Sequence, residues 1–213
     1  MEEAYWNKYY SQATKRAAPA IPSQFAAFVA TEFKQDAPLI VDLGCGNGRD
    51  TRFFAHSGFS AVGIDASREA ISGCQAMAAD SEGLSFMCAS LDDSSVPSEV
   101  NALASEKPVL LYARFFLHAI SDADECQFFE LAKSICGARG TIAVEFRTDK
   151  DEALSKVTDT HYRRFINPVS FVERAHAKGY STRYFVEGFG YAKFKNDDAH
   201  VARVLLNPIK RNP

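Results

Sequence analysis

The chain has 213 residues, 24 Lys and Arg against 27 Asp and Glu for a net charge of −3, 46% hydrophobic and 24% charged residues. That length fits one domain over residues 1–213, and the composition excludes extended disorder. The sequence pI of 6.0 excludes a strongly basic nucleic-acid binder, whose pI would usually exceed about 9.

The charge is unevenly distributed. Residues 1–138 carry 10 Lys and Arg against 18 Asp and Glu, and residues 139–213 carry 14 against 9. In chain order, Met1-Glu2-Glu3 is acidic where a secretory signal would be positive. Residues 1–38 read as a helical extension with a bend at Pro19 and Pro22, and its start, Tyr5-Trp6-Asn7-Lys8-Tyr9-Tyr10, sets four aromatics in six positions. Strands are expected at 39–43, 60–65, 84–89, 108–112 and 141–146, where short apolar runs end in polar or glycine residues. Helices are expected between them at 49–57, 67–79 (Ser67 as N-cap), 95–105 and 122–136. Strands alternating with helices are βαβ units, and hence a parallel sheet covered on both faces.

After Pro168 the pattern changes: a helix at 169–178, then strands at 180–187 and 201–206 with no helix between them, which makes them antiparallel. The expected fold is therefore a doubly wound, mostly parallel α/β sheet ending in an antiparallel hairpin. No apolar run reaches the roughly 18–20 residues that span a bilayer; the most apolar stretch, 109–120, is broken by Arg114 and His118. The five cysteines are odd in number and form no C-x-x-C pair, which argues against a disulfide framework and a structural zinc site. The expected setting is a reducing cytoplasm.

The most informative segment is Val41-Asp42-Leu43-Gly44-Cys45-Gly46-Asn47-Gly48-Arg49-Asp50, between the first strand and the first helix. Its glycines let backbone approach a ligand in the crevice at the strands' carboxyl ends, beside the free N–H groups of a helix N-terminus. Asp65 closes the second strand 23 residues after Asp42, where a carboxylate can accept both hydroxyls of a ribose. Together these predict nucleotide-like binding. A dinucleotide loop would read G-x-G-x-x-G, whereas the glycines here are 44, 46 and 48. A nicotinamide oxidoreductase remains an alternative reading of the same strand and loop.

This acidic glycine loop resembles motif I of the class I S-adenosylmethionine-dependent methyltransferases, and the terminal hairpin resembles the end of that family's seven-stranded, Rossmann-like sheet. The resemblance implies S-adenosyl-L-methionine as cofactor, with Gly44, Cys45 and Gly46 along its methionine portion, Asp42 near its amino group, and Asp65 and Ala66 at its ribose. It places Ser90 in Cys88-Ala89-Ser90-Leu91-Asp92 near the adenine, where the family often has an acid. Similar Y-W-x-x-x-Y starts fold over the cofactor in small-molecule methyltransferases of this class, so Tyr5, Trp6 and Tyr9 are candidate lid residues. Their ring faces attract the sulfonium cation.

The fourth strand runs into Tyr112-Ala113-Arg114-Phe115-Phe116-Leu117-His118-Ala119-Ile120, the family's usual place for substrate-facing groups. Arg114 (toward cofactor or acceptor) and His118 (substrate contact, base or internally bonded histidine) are four apart and would share a face on a helical turn. Arg147 ends the fifth strand, and the loop after it supplies His161, Arg163 and Arg164. Converging at the rim, these would grip a phosphate, phosphonate or carboxylate, unless they are solvated surface charges. Arg-Phe-Phe-Leu-His-Ala-Ile, Glu145-Phe146-Arg147 and His161-Tyr162-Arg163-Arg164-Phe165 resemble the phosphate and phosphonate O-methyltransferases of bacterial surface-polysaccharide and phosphonate biosynthesis. The implied activity is O-methylation of a small or glycan-linked, anionic acceptor. An anionic oxygen needs no general base, whereas a neutral hydroxyl would use His118 or His161. No metal-spaced His or carboxylate cluster is apparent, so no metal is expected. Methylation of tRNA or protein is the alternative, with the basic third as docking face, but its excess charge is modest and it lacks a stacking platform.

Overall fold

The computed structural model describes residues 3–12, 21–78, 81–154, 162–194 and 197–210. His161, Pro19 and Ala79, all part of the expectations above, lie outside the described residues.

The elements are α1 (Glu3–Ser11), α2 (Gln24–Glu32), β1 (Leu39–Leu43), α3 (Arg49–His56), β2 (Ser60–Asp65), α4 (Arg68–Ala78), β3 (Leu84–Cys88), α5 (Val96–Ala104), β4 (Val109–Arg114), α6 (Asp122–Cys136), β5 (Thr141–Arg147), α7 (Pro168–Ala177), β6 (Tyr180–Gly188), β7 (Lys193–Phe194), β8 (Asp197–Asp198) and β9 (Val201–Pro208). Seven strands form one sheet in the order β3-β2-β1-β4-β5-β9-β6. β1 to β5 pair in parallel, whereas β9 is antiparallel to both β5 and β6. The carboxyl ends of β1, β2, β3, β4 and β5 therefore share one rim, and the site is built there. β7 and β8 form a separate small hairpin in the β6–β9 connection.

The central strands are buried along their length, as strands covered on both faces must be: Leu39–Leu43 and Thr141–Arg147 contain no exposed residue. On one face α5, α6 and α7 close a core around Leu111, Val144, Phe128, Phe129 and Phe171. On the other face α2 and α3 cover Ile40, Leu110 and Tyr112 with Phe25, Ala26, Val29 and Phe54. Ser121 starts α6 with a reciprocal cap, its hydroxyl accepting from the Asp124 N–H at 3.1 Å while its own N–H donates to Asp124 Oδ2 at 3.1 Å.

Two local features differ from the sequence expectation. β4 continues past Tyr112 to Arg114 because a buried carboxylate stands beside that arginine: Arg114, Glu145 and Arg203 are register partners across β4, β5 and β9. Arg114 and His118 share no helical face. Arg114 ends a strand, Phe115 turns the chain with φ 58°, and Leu117–Ala119 is a 3₁₀ turn. In addition, the N-terminal 38 residues are not one extension. Ser23 caps α2 by accepting from the Ala26 N–H, and its own N–H and hydroxyl donate to Asp50 of α3 at 2.9 and 2.6 Å. α2 is thus a layer of the fold, whereas α1 lies over the rim.

Candidate cofactor and acceptor site

The turn after β1 is held to β2 by its own backbone. The N–H groups of Gly44 and Cys45 both donate to the Ile64 carbonyl, at 2.8 and 3.1 Å, and Gly44, Gly46 and Gly48 have φ 74°, 54° and 67°. At all three positions space also demands glycine. A Cβ on Gly44 would lie 2.5 Å from the Phe116 ring, and one on Gly46 would lie 2.2 Å from the Tyr10 hydroxyl.

Asp65 faces this loop. Its Oδ2 accepts from the Gly46 N–H at 2.9 Å and its Oδ1 from the Ser67 N–H at 2.8 Å. Burial raises its pKa, and these two bonds oppose the rise. A carboxylate offers about four acceptor positions, so two remain for a vicinal diol. A cleft beside it is lined by Gly44, Asp65, Ala66 and Ser90, with Leu43, Ile64, Ala89, Leu91 and Phe116 as its apolar walls. Four residues expected at the cofactor are thus brought together around an apolar slot next to a diol acceptor, a set that fits an adenosyl group. Ser90 bonds to Asp92 Oδ1 at 2.5 Å, which fixes its hydroxyl at the end of the slot.

Asp42 lies beneath the loop, 3% exposed, where its Oδ2 accepts from the Thr51 hydroxyl at 2.6 Å. Burial, and after it the Asp50 carboxylate, push its pKa up to about 7, against the Thr51 bond and Arg49. An ammonium arriving at this carboxylate would offset the cost of its charge, in keeping with the amino group that the resemblance assigns to it.

α1 closes the loop from above. Tyr5 and Trp6 meet edge-on at 5.0 Å, as do Tyr9 and Tyr10 at 5.0 Å, and Asn7 Oδ1 accepts from the Ser67 hydroxyl at 2.9 Å. The closest approach to the glycines is made by Tyr10, which the sequence reading left out of the site. Burial, and after it Asp65, hold its phenol well above the ordinary pKa, so it stays a protonated donor. Its position follows from helical spacing, since Trp6, Asn7 and Tyr10 fall on one face.

On the acceptor side the arginines are largely spent on carboxylates. Arg114 Nε donates to Glu145 Oε1 at 2.8 Å, and Arg203 Nε to Glu145 Oε2 at 2.7 Å. Arg147 donates to Asp151 at 2.6 Å and to Asp197 at 2.5 Å. Arg164 pairs with Asp122 and Glu125 and bonds the Leu117 carbonyl at 3.0 Å. Of the three rim arginines expected to converge, Arg147 and Arg164 are thus engaged by carboxylates, and Arg163 lies beside Arg147. The Arg163 side chain lies on the segment that returns over the rim, pinned where the Arg164 N–H donates to the His118 carbonyl at 2.9 Å and the Ile166 N–H to the Arg147 carbonyl at 3.3 Å. Burial, and after it the like charge of Arg147, lower the Arg163 pKa, while Asp151, Tyr5 and Asp197 oppose this.

His118 is 5% exposed, and its Nδ1 accepts from the Arg147 N–H at 3.3 Å. Since a backbone N–H can only donate, Nδ1 is the unprotonated nitrogen and is engaged inside the fold. Phe115, quoted in the sequence reading but given no role there, combines a left-handed backbone with a ring 4.1 Å from the Arg114 guanidinium and 5.5 Å from that of Arg147. Such backbone costs about 1–3 kcal/mol and gathers at functional sites; nothing in the residue types around it announces the strain. Among the described residues no group of three or more His, Cys, Asp or Glu could hold a metal ion, and no helix is long and apolar enough to cross a membrane.

Residues 40–140 match the model of a methyltransferase domain family. A similar solved structure is an S-adenosylmethionine-dependent methyltransferase from Anabaena variabilis, 16% identical, with 97% of this chain and 93% of that chain covered and a TM-score of 0.72. The CcbJ methyltransferase from Streptomyces caelestis is 13% identical over 99% of this chain and 100% of that one, with a TM-score of 0.70. The 1,6-didemethyltoxoflavin-N1-methyltransferase from Burkholderia thailandensis, solved with 1,6-didemethyltoxoflavin and S-adenosylhomocysteine, is 12% identical over 98% and 87%, with a TM-score of 0.70. At these identities the likeness is one of fold. No curated protein matches the chain.

Proposed function

We propose that the protein is an S-adenosylmethionine-dependent methyltransferase that methylates an oxygen of a small, anionic acceptor held by Arg163, a reading supported by the methyltransferase-domain match over residues 40–140 and by the likeness of fold. When bound, S-adenosylmethionine supplies a methyl group already activated by its sulfonium. Asp65 would take the ribose hydroxyls, the apolar slot from Leu43 to Phe116 the adenine, and Asp42 the amino group. α1 would cover the methionine end with Tyr5, Trp6 and Tyr9, excluding water from the transfer.

The observation that carries the acceptor reading is the setting of Arg163. It is a half-buried guanidinium beside the like charge of Arg147, so an anion placed there would relieve the repulsion between the two cations. An anionic oxygen is nucleophilic without proton removal, which agrees with the internal bond of His118 Nδ1. What the protein must then supply is alignment. The small-molecule class is supported by the Burkholderia neighbour, whose named acceptor is a small molecule.

Release of S-adenosylhomocysteine, measured across phosphorylated, carboxylated and neutral acceptors, tests this. Arg163→Ala is expected to raise KM for the preferred anionic acceptor about 10- to 100-fold, the worth of one hydrogen bond to a charged group, with cofactor affinity intact. A wild-type preference for neutral acceptors, or an unchanged KM in the variant, would overturn the anionic reading.

A further inference from the structure

Beneath the glycine loop two thiols that the proposed mechanism does not use meet each other. Cys45 is the middle residue of Gly44-Cys45-Gly46, and Cys74 lies on the buried face of α4 with Ala70 and Ile71. Both sulfurs address one acceptor, the Gly46 carbonyl, from 3.9 Å (Cys45) and 3.4 Å (Cys74), which brings the two thiols to the same oxygen. Two further glycines keep the space around them clear. A Cβ on Gly63 would lie 2.9 Å from Cys45 Sγ, and a Cβ on Gly48 would lie 2.9 Å from Cys74 Sγ. The other cysteines are placed differently: Cys88 and Cys126 are exposed, and buried Cys136 donates to the Thr141 carbonyl at 3.8 Å. The odd count and absent C-x-x-C spacing thus conceal a pair 29 residues apart in sequence.

We infer that Cys45 and Cys74 form a reversible dithiol–disulfide modification site, oxidised by hydrogen peroxide or a related hydroperoxide, whose closure weakens the loop's hold on the cofactor. The inference rests on the cofactor reading of this loop. The neighbouring Cys45 thiol and the Arg52 guanidinium draw the Cys74 thiol below its ordinary pKa against the opposing effect of burial, whereas burial pushes Cys45 up. Cys74 is therefore the first nucleophile. Its thiolate attacks one peroxide oxygen, the O–O bond breaks, hydroxide leaves, and Cys74 carries a sulfenic acid. Cys45 sulfur then attacks Cys74 sulfur. The S–S bond forms, the S–O bond breaks, and the departing hydroxide takes the Cys45 proton as water. Two thiols and one peroxide give one disulfide and two waters.

Closure removes both thiol donors from the Gly46 carbonyl and draws the loop toward α4. The Gly46 N–H is bonded to Asp65 Oδ2 at 2.9 Å, so this displacement reaches the carboxylate assigned to the ribose. Conversely, cofactor in the cleft stabilises the loop geometry of the reduced pair and slows closure.

The test uses the full chain, reduced and desalted, then exposed to hydrogen peroxide. A non-reducing peptide map is expected to contain a Cys45–Cys74 linkage, whose formation S-adenosylhomocysteine retards. Calorimetry with S-adenosylhomocysteine is expected to show affinity falling about tenfold, the worth of roughly one charged hydrogen bond, with recovery under dithiothreitol. Cys74→Ser, and Cys74→Ala as a second variant, should lose the linkage and the peroxide-dependent fall, each judged against its own untreated state. Oxidation confined to Cys88 and Cys126, or a linkage that leaves affinity unchanged, overturns the inference. Failure of the reduced protein to bind S-adenosylhomocysteine counts against the cofactor reading itself, a failure the peptide map does not share.

Discussion

Asp65→Ala is expected to lower affinity for S-adenosylmethionine by at least about 100-fold, since two hydroxyl bonds to a carboxylate are each worth about 1.5–3 kcal/mol. The loss has a second source inside the protein. Asp65 accepts the Gly46 and Ser67 N–H groups at 2.9 and 2.8 Å, so its removal also releases the glycine loop from the start of α4. Asp65→Asn separates the two contributions. An amide keeps one acceptor and turns a donor toward the other N–H, so its affinity is expected to fall nearly as far while the fold is retained. Calorimetric titration of both variants reads the result. Binding within a factor of about three of wild type, well under one such bond, would remove Asp65 from the cofactor site.

The largest effect on stability is expected at Glu145. This fully buried carboxylate on β5 is the shared counter-ion of Arg114 on β4 and Arg203 on β9, its register partners on either side. Glu145→Ala leaves two guanidiniums against the sheet with no anion between them. Removing one partner of a buried ion pair costs about 3–5 kcal/mol, and in a domain of this size that lowers Tm by about 10 °C or more. Arg203 retains its bond to the Tyr191 carbonyl and its contact with the Phe25 ring, so the strain falls mainly on Arg114, beside the strained Phe115. Glu145→Gln preserves volume and an acceptor and should lose less. Thermal unfolding of the alanine variant at the wild-type Tm would contradict this account of how β4, β5 and β9 are joined.

The same triad shows why part of the site escapes a reading of sequence. Gly44-Cys45-Gly46 between an apolar strand and a helix, and Asp65 ending an otherwise apolar run, are legible because the turn, the strand and the carboxylate lie within about one βαβ unit. The end of β4 is not legible. Arg114 looks like a strand breaker until Glu145 is known to stand beside it, and that partner comes from another strand 31 residues away. The arginines Arg147 and Arg164 are legible as residue types at the rim, but their neutralisation is not, since Asp197 and Glu125 reach them from distant elements. Arg163 differs from its neighbour Arg164 in surroundings that only the folded chain assembles.

The N-terminal segment divides in the same way. Its aromatic run points to a cover over the rim, but only helical phase distinguishes Tyr10, against Gly46, from Tyr9. Phe25, Ala26 and Val29 enter the core because Ser23 ties α2 to Asp50, a contact across 27 residues that no local pattern contains. The charge contrast between the first 138 residues and the remainder has a limited structural meaning: the acidic part holds Asp42 and Asp65, and in the basic part several arginines answer carboxylates close at hand.

The most direct measurement is calorimetric titration of the reduced wild-type chain with S-adenosylhomocysteine at pH 7.5 and 5.5, with NAD and NADP as parallel titrants. Burial holds the Asp42 pKa near 7, so this carboxylate is mostly ionised at the higher pH and mostly neutral at the lower. An acid whose pKa is raised attracts an ammonium above that value and loses the attraction as pH falls through it. The account predicts one S-adenosylhomocysteine per chain at pH 7.5, affinity about tenfold lower at pH 5.5, and no nicotinamide nucleotide binding. Binding of NAD or NADP without S-adenosylhomocysteine, or affinity that rises as the pH is lowered, would contradict it.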